Sequence, residues 1–328
     1  MPITPQPFSL PMHPSNRQLP RRSFAYLLQF LICFMLIFFI SPAWAEENVT
    51  ILYPDVSAPY DAIFDKIIAG IDSQQTLQIH PLSLKKEDSE SRLKDHLIKT
   101  NSKAIIALGK RGTIAAETLQ NQLPTIYGAL LYIPEGKTGI SLSADPQQQF
   151  DKLKAIAPKI TTISVVFSPS VNTWLISLAE LAAEQYGLTL KPYPVENLRE
   201  AVIQYRDILQ TSNNQTDAIW LPLDPISANE KVVLPMLLQE SWNRDLVIFS
   251  SKPTDVQRGV LFSMYADNFG MGQDLAHLLV KQLTGEMVPP VSPVTTLLTA
   301  VNLRTAAHLG FNFTSQQQRR FDLTFPSR

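Results

Sequence analysis

From Val49 onward the chain alternates short apolar runs with longer stretches of helical spacing, and it does so in two successive series. Few folds accept that order, because strand, helix and parallel strand close as a right-handed crossover with helices covering the sheet. In the first series residues 49–53, 77–82, 103–108 and 125–131 read as strands, and 58–71, 88–100 and 111–120 as helices. Asp145-Pro146 is a helix-start signal for 147–157, after which the pattern begins again. Its strands are 162–167, 188–193, 218–221 and 246–249, and its helices 172–186, 198–209 and 228–242. Residues 260–264 and 295–301 read as further strands around a long amphipathic helix at 269–283. With 328 residues there is material for two cores. The expectation is an α/β protein of two doubly wound parallel-sheet lobes.

The first 45 residues follow a different rule. Residues 1–23 are rich in Pro and carry Arg17, Arg21 and Arg22 without an acid, and residues 24–40 are apolar except for Gln29. Ser41-Pro42 and Ala43-Trp44-Ala45 then supply a helix break and small residues around a cleavage point before Glu46. This is the layout of a secretory signal peptide, and it predicts a periplasmic protein, with an uncleaved membrane anchor as the alternative. The one cysteine, Cys33, lies inside that segment, so disulfides and cysteine catalysis are not expected after cleavage.

Composition removes several classes of function. A formal net charge of −1 gives no polyanion-binding surface, so nucleic acid is not expected as a partner. The five histidines never pair at ligand spacing, which leaves a zinc site without ligands. No G-x-S-x-G, H-E-x-x-H, G-x-G-x-x-G or P-loop pattern is present. Neither an enzyme nor a cofactor is expected.

In an open parallel sheet, ligands gather beyond the carboxyl ends of the strands. The loops there offer Asp55 and Ser57 after the first strand, then Lys110, Arg111, Gly112 and Thr113 in the turn 109–113, and Tyr132 after the fourth strand. In the second series they offer Ser168, Ser170, Asp224 and Ser251, with Tyr265 as a stacking surface. The turn 109–113 reads either as an anion cradle or as a tight turn with a solvated Lys-Arg pair. Asp224 reads either as a partner for an amine or as a helix cap.

The most specific stretch is Gly259-Val260-Leu261-Phe262-Ser263-Met264-Tyr265, followed by Leu283-Thr284-Gly285-Glu286 and Val301-Asn302-Leu303-Arg304-Thr305-Ala306-Ala307-His308-Leu309-Gly310. With Asp217-Ala218-Ile219-Trp220-Leu221-Pro222-Leu223-Asp224 it resembles ABC-transporter substrate-binding proteins of the branched-chain and tryptophan-type class. The resemblance implies a type I periplasmic binding fold, with lobes joined by a hinge. It also implies capture of a small molecule in an interlobe cleft, with an ABC permease as partner. A periplasmic sensory or partner-binding role is the alternative. Leu130-Leu131-Tyr132-Ile133 departs from the polar turn of that family, so the ligand stays open between amino-acid-like and anionic. The expected divisions are a signal peptide at 1–45, a first lobe at 46–154 with a return at 295–310, and a second lobe at 155–262. A crossover helix and connection at 263–294 and a tail at 311–328 complete them.

Overall fold

Unbroken apolar runs form the inner strands of two parallel sheets. Residues 47–119 and 123–326 are described by the computed structural model, so the expected export segment 1–45 lies outside them. The first sheet contains β1 (Glu47–Pro54), β2 (Leu77–Leu84), β3 (Ala104–Leu108), β4 (Thr125–Leu130) and β5 (Thr138–Ala144), in the order β2-β1-β3-β4-β5. The second contains β6 (Thr162–Phe167), β7 (Thr189–Pro194), β8 (Asp217–Leu221), β9 (Val247–Ser250) and β10 (Phe262–Ala266), and repeats that order as β7-β6-β8-β9-β10. Each is the doubly wound order with a switch point, between β1 and β3 and between β6 and β8.

Helices cover both faces, which is why the strands read as continuous apolar runs. On the first sheet, Val49, Ile51, Ala104 and Ile106 pack against Ile67 and Ile71 of α1 (Asp61–Asp72). Leu52, Ile105 and Ala107 point the other way, onto Leu93 of α2 (Glu90–Thr100) and Ala116 of α3 (Gly109–Thr118). On the second sheet, α4 (Pro146–Ile156) and α5 (Pro169–Gln185) cover Val165, Trp220 and Phe249. The opposite face, with Val166, Ile219 and Ile248, lies under α6 (Leu198–Thr211) and α7 (Val233–Arg244). Each Leu, Ile or Phe so buried contributes roughly 1.5–3 kcal/mol. After β9, the short α8 (Pro253–Arg258) leads into β10.

The chain then returns to the first lobe by α9 (Asn268–Leu283), which docks on α1 backbone to backbone. A Cβ on Gly272 would lie 2.0 Å from the Ile67 carbonyl oxygen, and one on Gly70 2.0 Å from that of Phe269. Only glycine allows the approach. Met271, Leu275 and Leu279 of α9 complete the first-lobe core. Next, β11 (Val291–Val294) adds to β5 in parallel.

The strand expected at 295–301 does not return to the first lobe. It is β12 (Leu297–Asn302), antiparallel to β10 from Phe262↔Val301 to Ala266↔Leu297, and α10 (Leu303–His308) follows it in the second lobe. The first lobe is instead completed by α9 and β11, because the glycine face of α9 docks on α1 and its apolar stripe packs into the first-lobe core. Two further boundaries move. The first crossing lies at 144–146, because Phe150, Leu153 and Ile156 of α4 are core residues of the second lobe. The segment after 310 is structured, with α11 (Ser315–Gln318) and β13 (Leu323–Phe325), the latter parallel to β12.

Candidate functional site

Among the described residues the chain passes between the sheets three times, at 144–146, 266–268 and 294–297. The first two crossings leave the carboxyl ends of β5 and β10, so those ends of both sheets face a common cleft with the crossings at its base. Hydrogen bonds join the three. Asp145 N–H donates to Val294 O (3.1 Å), Asp267 N–H to Thr296 O (3.0 Å), and Gln148 Nε2 to Thr295 O (2.7 Å). Thr296 Oγ1 donates to Asp274 Oδ2 (2.8 Å). Burial holds the Asp145 carboxyl above the ordinary carboxylate range, against hydrogen bonds from Gln147 and Gln148.

In the first lobe, Asp55 and Ser57 lie exposed in the loop after β1, where Tyr60 is 64% exposed. Segment 109–113 is the first turn of α3 rather than an open loop. Three of its candidates have structural partners. Arg111 Nη1 donates to Leu84 O at the end of β2 (3.1 Å). A Cβ on Gly112 would lie 2.4 Å from Leu52 O. Thr113 is buried and its hydroxyl donates to Gly109 O (3.0 Å). Lys110 differs, being exposed and forming no ion pair among the described residues. Tyr132 is 43% exposed just beyond β4.

In the second lobe the main correction is Asp224, which is 1% exposed with every acceptor site on protein donors. Its Oδ2 accepts from Ser168 N–H (2.7 Å) and Asn172 Nδ2 (2.9 Å), and its Oδ1 from Ile226 and Ser227 N–H (2.9 Å each). It ties the β6–α5 loop to the turn after β8. Trp220, on the strand that leads to Asp224, is fully buried and stacks on Phe249 with ring centroids 6.3 Å apart. That burial follows from strand alternation, which sends Trp220 into the core under α4 and α5. The Ser168 and Ser170 hydroxyls are 3.1 Å apart at the start of α5, with Ser170 exposed. Ser251 is buried and donates to Gln149 Oε1 (3.3 Å). Tyr265 is half-buried against the core under α6 and α7, where burial raises its phenol pKa.

The structure therefore leaves Asp55, Ser57, Lys110, Tyr132 and Ser170 as exposed candidates, Ser170 with its hydroxyl on that of buried Ser168, and it assigns Arg111, Gly112, Thr113, Asp224 and Ser251 to holding the walls. Sequence reasoning passed over Tyr60, Asn172 and Gln149. A polar side chain among the apolar positions of a helix is the signal that marks Asn172 and Gln149. No group of three metal-ligating side chains occurs among the described residues. What remains can bind a solute through a cation, hydroxyls and aromatic faces.

Residues 133–316, more than half of the chain, match the family model described as ABC transporter substrate binding protein. No curated protein matches the sequence. Three solved structures share the fold at low identity. A Clostridium difficile substrate-binding protein with adhesive properties, in its ligand-free, open form, has a TM-score of 0.57 at 16% identity, covering 86% of this chain and 100% of that one. A Streptococcus pneumonia ABC domain in complex with L-Trp has a TM-score of 0.51 at 20% identity, with 86% and 100% covered. A conserved domain protein from Vibrio cholerae has a TM-score of 0.50 at 16% identity, with 85% and 99% covered.

Proposed function

Because the chain belongs to the ABC transporter substrate-binding protein family, we propose that it captures a small anionic solute in the cleft between its lobes. The observation that carries the ligand class is Lys110. It stands near the carboxyl end of β3 and forms no ion pair among the described residues, whereas the second-lobe acid Asp224 is spent on four protein donors. Ser170 on the opposite wall supplies an exposed neutral hydroxyl, backed by the buried Ser168 hydroxyl, and Tyr60 and Tyr132 supply flat apolar surface. A carboxylate-bearing solute meets Lys110 from one lobe and the Ser170 hydroxyl from the other, so it binds the closed arrangement more tightly than the open one. That difference is what drives closure.

A thermal-shift screen of residues 46–328 against carboxylates, amino acids and polyamines tests the reading. Carboxylate hits that also shrink the radius of gyration in X-ray scattering support it. Hits confined to polyamines, or affinities unchanged by Lys110→Ala, refute it.

Delivery of the solute to an ABC permease follows from the family. Export through cleavage after Ala45 belongs to the same proposal. Expression of the full chain with its precursor sequence yields a mature N-terminus at Glu46, which N-terminal sequencing of the periplasmic fraction reads directly; an intact chain in the membrane fraction refutes cleavage.

A further inference from the structure

At the far pole of the second lobe, a pocket of about 810 Å³ opens among α7, α8, α10 and the segment after β13. It lies where β9 and β10 begin and β12 ends, which is the opposite end of the sheet from the cleft. Its walls include Leu238, Trp242, Arg258, Arg304, His308 and Phe325, and among the described residues no acidic side chain lines it. The Trp242 indole is 41% exposed and lies parallel to the His308 ring, with centroids 3.8 Å apart. The Arg304 guanidinium stands 5.5 Å from the indole centroid, a cation–π contact.

The charges do not balance. Asp245 Oδ1 lies 3.0 Å from His308 Nε2, so an acid outside the pocket answers the imidazole. Arg258 gives one N–H to the Glu230 carbonyl (3.0 Å). Arg304 forms neither an ion pair nor a side-chain hydrogen bond among the described residues, so its planar fork is held over the indole with its donors free. Such a fork matches a carboxylate through two parallel N–H bonds. The wall formed by Phe325 and Pro326 lies beyond residue 316, where the family match ends, so this pocket depends on a segment outside the matched region.

We propose that this pocket is a second binding site, separate from the cleft, for a small aryl carboxylate. The carboxylate pairs with Arg304, and the ring lies between the Leu238 and Phe325 side chains.

Benzoate and the neutral, isosteric benzamide are the probes. Each is titrated into ¹⁵N-labelled mature protein at constant ionic strength, and the tryptophan indole N–H resonances are followed. Trp242→Phe identifies the resonance of Trp242 by deleting it. Benzoate is expected to shift that resonance saturably, and benzamide to need at least about tenfold more for the same shift, the factor corresponding to about 1.4 kcal/mol. Arg304→Ala weakens benzoate at least about tenfold, Arg304→Lys weakens it less, and Lys110→Ala leaves the titration unchanged. Equal response to the two probes, no saturable shift, or indifference to both Arg304 variants overturns the proposal. A benzoate response lost with Lys110→Ala alone assigns the binding to the cleft, which overturns the second site and leaves the cleft reading standing.

Discussion

Asp224→Asn preserves shape and removes one acceptor, and its effect can be worked out from four hydrogen bonds. The carboxylate serves two pairs of donors: Ser168 N–H and Asn172 Nδ2 at one oxygen, Ile226 and Ser227 N–H at the other. An amide keeps an oxygen for one pair and turns an NH₂ toward the other. Asn172 can relieve part of the clash by flipping, since its Oδ1 is buried without a partner, but the flip gives up its Nδ2 bond to Leu223 O (3.3 Å). Ser168 N–H, buried and rigid, cannot. Losing a charge-assisted bond there costs about 1.5–3 kcal/mol, and the bonds that survive become neutral and weaker, so the total comes to about 3–5 kcal/mol. At about 2–4 °C per kcal/mol the melting temperature falls by at least about 6 °C. The assay is convenient, because Trp174, Trp220 and Trp242 all lie in the second lobe, and in the chain after Ala45 they are the only tryptophans. Their fluorescence therefore reports unfolding of that lobe alone. A midpoint unchanged within about 2 °C, together with solute affinity reduced tenfold or more, would show that the carboxylate faces ligand rather than protein, and the reasoning would fall.

Other outcomes follow from the same geometry. Gly272→Ala places a methyl 2.0 Å from the Ile67 carbonyl and forces α9 off α1, destabilising by about 1–3 kcal/mol or more, as measured by urea unfolding followed by far-UV circular dichroism. Lys110→Ala leaves stability within about 0.5 kcal/mol while weakening any carboxylate solute at least tenfold by calorimetry. Arg111→Ala does the reverse, costing about 1 kcal/mol for the lost Leu84 contact without changing affinity. Asp145→Asn keeps a good helix cap and removes a carboxyl whose folded pKa is raised by burial. A raised carboxyl binds its proton more tightly when folded, so stability falls as pH rises from the ordinary carboxylate range through the raised value. The variant therefore gains melting temperature at neutral pH, and the gain shrinks as acid protonates the wild-type side chain.

The two-lobed fold was legible because β3, β6 and β8 are short apolar runs buried on both faces, and because Asp145-Pro146 marks the start of α4. β5 was not, since Thr138-Gly139-Ile140-Ser141-Leu142-Ser143-Ala144 fills three of its seven positions with small polar residues, and a fourth with glycine, that a loop would also carry. Yet Ser141 and Ser143 are buried, and the Ser141 hydroxyl donates to the Leu131 carbonyl (2.8 Å). The lobe that receives β12 was misread because an apolar strand does not state which sheet edge it will join. In the site, residue type separated polar from apolar and no more. Lys110 and Arg111 are neighbours in sequence, but helical geometry turns one to solvent and the other to the end of β2. Asp224 looked available because its donors come from backbone amides and an asparagine 52 residues away, and amides leave no mark in a sequence.

The three crossings have a mechanical consequence. One strap would let the lobes swivel and twist freely, and two would still permit rocking. Three straps, laced to one another by the Asp145 and Asp267 amides, hold the bodies together at one joint and leave bending there as the easy motion. The rest of the motion is stiff, so a solute entering anywhere in the cleft drives the same stroke. A receptor at the outer rim would then sense the position of a single lever and need no knowledge of what lies inside.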